Sequence, residues 1–133
     1  MPLNYVGSVN GAQRNLVLRL LDNSETYTVG DCVKSYVSGY AENPAAATPF
    51  LGIIHAICDA SSNPIVVGSN SAGTAASPAT LAVTTAADNT TTETYWALID
   101  TSRDSIYSAE VSGTLGTTNS SNLPGCRIDM NSN

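Results

Sequence analysis

Charge is scarce in this chain. Lys and Arg number 5 and Asp and Glu 11 among 133 residues, so charged side chains make up 12%, about half the ~25% of ordinary soluble domains. The net charge of −6 works against attraction to phosphate backbones and anionic lipid, so neither nucleic acid nor membrane is expected as a partner. Long apolar runs are also lacking: none approaches the ~20 residues of a membrane-spanning helix. The opening residues "MPLNYVGSVNGAQR" have neither the basic start nor the apolar centre of a secretory leader, and the expectation is a soluble product made in a cytoplasm. Three cysteines, Cys32, Cys58 and Cys126, are odd in number and widely spaced, which excludes a secreted disulfide framework and predicts buried thiols. The nucleotide-binding, nucleophile-elbow and zinc-protease patterns GxGxxG, GxSxG and HExxH are missing, as is the phosphate-binding P-loop, so the expectation is a non-enzyme without cofactor or metal.

What is present describes strands. Leu, Ile, Val and Phe together number 28 of 133, barely above the ~20% below which chains tend not to fold. A core this thin predicts arms, loops or completion by neighbouring subunits. Residues 1–14 mix Gly, Asn, Ser and Pro with isolated Tyr5, Val6 and Val9, and read as an extended N-terminal arm. The remaining residues, 15–133, read as one domain. "NLVLRLL" is a short apolar run closed by the turn signal "DNS". "ETYTVGD" places Tyr27 and Val29 on one face, and "CVKSYVSG" places Val33 and Val37 opposite Cys32, Lys34 and Tyr36. Pro44 and Pro49 break the Ala-rich stretch between them into a loop. "FLGIIHAICD", "IVVGS", "LAVTTA", "TETYWALID", "IYSAEVSG" and "GCRIDM" follow as strands, with a small polar loop over residues 68–80. The fold class is all-β, a small β-barrel or β-sandwich of about nine short strands.

Candidate chemistry centres on the single His55. In a regular strand His55 shares a face with Leu51, Ile53 and Ile57, while Cys58 points the other way with Ile54 and Ala56, so they form no local Cys-His pair. The same pleat and the wide spacing of Cys32, Cys58 and Cys126 argue against zinc, whose structural sites draw on close ligand pairs. "DTSRDS" puts Asp100, Ser102 and Asp104 at alternate positions like the start of a calcium loop. The sixth and twelfth positions are Ser105 and Val111 where Gly and Glu are required, and a hairpin turn explains the residues instead. Asn89 in "NTT" and Asn119 in "NSS" match the glycosylation pattern, as any chain this rich in Asn, Ser and Thr does by chance.

The run "ETYTVGDCVKSYVSGYAENPAAATPFLGIIHAICDASSNP" is similar to the plan of small β-barrel proteins of tailed-phage heads, in which a Gly-Asp turn leads into a strand, an Ala-rich loop, an apolar "LGI" strand and a hairpin. Gly30-Asp31 and Gly52-Ile53 carry the likeness. "TYWALIDTSRDSIYSAEVSGTLGTTNSSNLPGCRID" also resembles virion structural proteins of that kind. The resemblance implies a capsid decoration, or cement, protein on the virion exterior, assembled as a homotrimer and binding the major capsid protein at capsomer junctions. It carries over fold-forming turns and no functional residues.

The leading expectation is accordingly a structural virion protein whose arm lies in a groove of the major capsid protein, ordered only there, with Tyr5, Val6, Val9 and Arg14 as contact residues. The alternative is a carbohydrate-binding or host-attachment module, such as part of a head fibre, using Trp96, Tyr95 and Tyr107. A third reading, a small hydrolase, requires a cleft that sets His55 beside a thiol or carboxylate.

Overall fold

The computed structural model describes residues 3–45, 49–67 and 82–108. Ten strands lie within them: β1 (Asn4–Ser8), β2 (Leu16–Leu20), β3 (Thr26–Thr28), β4 (Cys32–Ser35), β5 (Ala41–Glu42), β6 (Gly52–Cys58), β7 (Pro64–Val67), β8 (Ala82–Thr84), β9 (Trp96–Asp100) and β10 (Ser105–Ser108). A 3-10 turn over Val9–Gly11 and a single helical turn, α1 (Asn89–Thr92), complete the elements. The all-β class holds, and between the two expected architectures the strands arrange as a sandwich-like stack with no closed barrel among the described residues. The polar loop at 68–80 and the strand expected at "GCRIDM", with Cys126, lie outside the described residues.

The central layer is a six-stranded sheet in the order β2-β9-β6-β4-β5, with β7 also pairing β6. All its named pairings are antiparallel. β6 is buried at every position except His55, which explains why its sequence reads as a continuous apolar run and not as an alternation: both its faces are covered. One face packs Ile54, Ile57, Ala97 and Ile99 with Leu21, Val29, Val33, Ala41 and Tyr27. Tyr27 belongs to β3, which pairs β8 as a separate two-stranded sheet, so the core lies between this ribbon and the central sheet. The opposite face carries Asp100, because alternate residues of β9 point to opposite sides, and there the Asp100 carboxylate meets Tyr107 of β10. β10 pairs β1 as the third layer.

Two expectations about faces need correction. Val37 does not continue the buried face of Val33. The strand ends at Ser35, Gly39 at φ 85° turns the chain back, and Val37 is left 98% exposed. In β6 the register against β9 shifts between Ile54 and Ala56, leaving His55 without a partner on β9. This bulge resets the alternation, since two residues of the bulged strand then oppose one on its neighbour. Ile54 and Ile57, three residues apart, both enter the core, and Cys58 shares a face with Ala56 but not with Ile54. His55 does not side with Ile57.

Polar groups inside the stack are paired. Among the described residues, no buried side-chain nitrogen or oxygen lacks a hydrogen-bond partner. The Tyr27 hydroxyl donates to the Glu25 carboxylate at 2.6 Å, and that carboxylate also accepts the Asn43 backbone N–H at 3.0 Å. Burial, and then the neighbouring Glu25, push the Tyr27 hydroxyl far above its ordinary pKa. Asn89 is fully buried. Its amide nitrogen donates to the carbonyls of Leu21 at 2.7 Å and Tyr95 at 3.1 Å, and its oxygen accepts the Tyr95 N–H at 3.0 Å. The helical turn α1 therefore positions one amide that joins the end of β2 to the entry of β9, and the side chain is closed to glycosylation in the folded protein. Asn89→Ala leaves buried backbone groups unpaired and is expected to lower the unfolding free energy by about 2–3 kcal/mol, measurable by urea titration.

Candidate functional site

The strongest concentration of polar chemistry among the described residues lies around Asp100, at the end of β9. Its side chain is fully buried. One carboxylate oxygen accepts the Arg14 Nε–H at 2.9 Å, the Ser105 hydroxyl at 2.7 Å and the Tyr107 hydroxyl at 2.6 Å, and the other accepts the Ser102 backbone N–H at 2.9 Å. The Arg14 guanidinium carbon sits 3.8 Å from the centroid of the Tyr5 ring, and Tyr5 meets Tyr107 edge-on at 5.7 Å. Three separate pieces of chain, the segment before β2, the end of β9 and β10, converge on one carboxylate. Burial alone raises a carboxyl pKa; here the hydrogen bonds from Tyr107, Ser105 and Ser102 prevail and hold Asp100 well below the usual range. The same contact, added to burial, pushes the Tyr107 hydroxyl up.

Of the four residues expected to contact a capsid, the structure brings two together here. Arg14 and Tyr5 are turned into the cluster, with the Arg14 side chain 15% exposed. Val6 and Val9 face solvent at 65% and 48% exposure. The arm is likewise not free: β1 pairs β10 along Asn4↔Ser108, Tyr5↔Tyr107, Gly7↔Ile106 and Ser8↔Ser105. Tyr107 and Ser105 supply this segment with a ladder partner within the chain, and Asp100 supplies a counter-charge for Arg14.

His55 is half-buried near this cluster. Desolvation, followed by repulsion from Arg14, lowers its pKa, against the pull of Asp100, which favours the neutral imidazole. A base in a catalytic dyad needs an orienting hydrogen bond; the Asp100 oxygens are instead directed at Arg14, Tyr107, Ser105 and Ser102. The Cys58 thiol is buried and raised by desolvation and by Asp59, and burial together with Asp31 raises that of Cys32, the reverse of the depressed pKa that makes a thiol reactive. Within "DTSRDS" the Asp100 carboxylate holds the Arg14 guanidinium and accepts the Ser102 backbone N–H, the side-chain-to-backbone bond of a turn. No group of three or more His, Cys, Asp or Glu side chains suited to a metal occurs among the described residues.

The aromatic trio does not assemble. Tyr95 packs against the core, and Trp96, the next residue of an extended segment, donates its indole N–H to the Glu93 carbonyl at 3.0 Å. Tyr107 lies in the Asp100 cluster. A separate surface feature is a shallow, open depression of about 480 Å³ lined by Lys34, Ser35, Pro49, Phe50 and Leu51. Phe50 at its rim is 50% exposed, and Tyr36 and Val37 just beyond β4 are 46% and 98% exposed.

Sequence reasoning missed Asp100 as an organising residue. Its signals were weak: an acid closing the apolar strand "WALID", and a lone Arg before "NLVLRLL", 86 residues away. No helix among the described residues is long and apolar enough to cross a membrane. No protein-family model matches the chain, and no curated protein or solved structure shows significant similarity to it.

Proposed function

We propose that the chain is a non-catalytic structural module that acts through its surface. On the resemblance described above, we further propose that it decorates the exterior of a tailed-phage capsid, in groups of three, by binding the major capsid protein at capsomer junctions. The observation that carries this reading is the placement of Tyr36, Val37 and Phe50. The ladder pairs Val33 with Gly52, so the chain beyond β4 and the chain before β6 run side by side, and both present large apolar groups to solvent. Adjoining large apolar groups left exposed in this way mark contact sites. The ionisable groups support the same reading, since the most perturbed carboxylate is bound internally by four donors. The carbohydrate-binding or host-attachment alternative has less support, because Trp96, Tyr95 and Tyr107 share no common face.

Purified virions are expected to contain the chain at a copy number commensurate with capsid lattice positions. The double variant Val37→Asp, Phe50→Ser should co-sediment with undecorated heads at least about tenfold more weakly while unfolding at the wild-type temperature. Absence of the chain from virions, or undiminished binding of the variant, would remove the proposal.

A further inference from the structure

β1 and β10 pair with each other and, among the described residues, with no other strand. No residue of either strand is buried. A two-stranded ribbon is marginal by itself in water, and this one contributes nothing to the core that holds the central sheet. Its polar attachments to the other described residues are few. They are the Tyr107 and Ser105 hydroxyls on Asp100, Arg14 between Asp100 and the Tyr5 ring, Leu3 N–H to the Gly30 carbonyl at 2.8 Å and Val9 N–H to the Asp104 carbonyl at 2.8 Å. Between β1 and Arg14 the chain passes through two consecutive left-handed residues, Asn10 at φ 54° and Gly11 at φ 70°.

We infer that residues 3–14 and β10 form a strap that opens from the central sheet as its own unit, with the Asp100 carboxylate as its catch. Regions poor in buried apolar contacts open at lower free energy than the core they cover. Opening frees the Tyr5 and Tyr107 rings and swings Val6 and Val9 away from the body, while the ladders joining β2, β9 and β6 stay paired. The inference concerns the monomer and stands apart from the capsid reading.

Native-state hydrogen exchange on the full chain, followed by residue through increasing denaturant, tests it. The amides of β1 and β10 should exchange through an opening with little denaturant dependence, at least about a hundredfold faster than those of β6 and β9. Ile57→Val, a mild change in the central sheet, should speed exchange in β6 and β9 by about three- to tenfold and leave β1 and β10 unchanged. Tyr107→Phe removes one donor from the carboxylate and should speed exchange in β1 and β10 by about tenfold. Coincident behaviour of ribbon and sheet, equal sensitivity of both to Ile57→Val, or indifference of the ribbon to Tyr107→Phe would overturn the inference.

Discussion

Asp100→Ala is expected to lower the unfolding free energy by about 3–5 kcal/mol, the range found when one partner of a buried ion pair is removed. That is a large share of the roughly 5–15 kcal/mol that holds a domain of ordinary size together. The cost arises less from the lost attraction than from what stays behind. Arg14, with its side chain 15% exposed, keeps a charge with no counter-ion, and the hydroxyls of Ser105 and Tyr107 lose their acceptor. Arg14→Met in the Asp100→Ala background should recover part of the loss, so a double-mutant cycle should report strong coupling. The pH dependence has a definite sign. Asp100 has a depressed pKa in the folded chain, so the folded state binds fewer protons than the unfolded one below the ordinary carboxylate range. The stabilisation is complete above the unfolded pKa of about 3.9 and is lost as pH falls through the folded pKa. Asp31, whose pKa is raised chiefly by burial, works in the opposite direction. The difference between wild type and Asp100→Asn isolates the Asp100 contribution: it should shrink steadily below about pH 4. A difference that stays constant from neutral to strongly acid pH would show that the carboxylate is not held in its charged form.

Gly52→Ala should be comparably damaging, for a steric reason. A Cβ at Gly52 collides with the Asp100 carbonyl oxygen, lies 2.7 Å from Ile99 Cγ2 and reaches 3.0 Å from the Asp100 carbonyl carbon. The first and last of these belong to backbone, which cannot rotate aside, so β6 and β9 must separate where they pair. Overpacking of this kind costs about 3 kcal/mol or more, which corresponds to a fall of thermal midpoint on the order of 10 °C for a domain of this size. Because the strain falls on Asp100 itself, Gly52→Ala and Asp100→Ala should not be additive. A thermal midpoint within a degree or two of wild type would mean the two strands yield more easily than their close approach implies.

Strands whose burial is set by local pattern were legible in the sequence. "NLVLRLL", "LGIIHAIC" with its return through Asn63-Pro64, and "YWALID" all announced β2, β6–β7 and β9, because apolar runs of that length between turn residues have few other solutions. Val37 was misplaced because alternation was carried through a turn whose decisive residue, Gly39, stands two positions later. The bulge at His55 left no mark, since an unpaired residue is a property of two strands in register and β9 is some forty residues away. The Asp100 cluster was hidden for a similar reason. Arg14, Asp100 and Tyr107 are each unremarkable as residue types, and only the path of β1 beside β10 brings the first to the others. Asn89 looked like a chance sequon and proved to be a buried structural amide. Residues whose role depends on a distant partner are those that composition and periodicity do not reveal.

The strand order also has a consequence for how the protein comes into being. β9 is inserted between β2 and β6, yet it is synthesised after both. Until residue 100 has left the ribosome, two oily strands wait with open edges and no neighbour to close them, a period in which nascent chains are vulnerable to mispairing and chaperone capture. Closure of the sheet is thus timed by translation, and a ribosome paused shortly before Trp96 would hold the chain in its most aggregation-prone form.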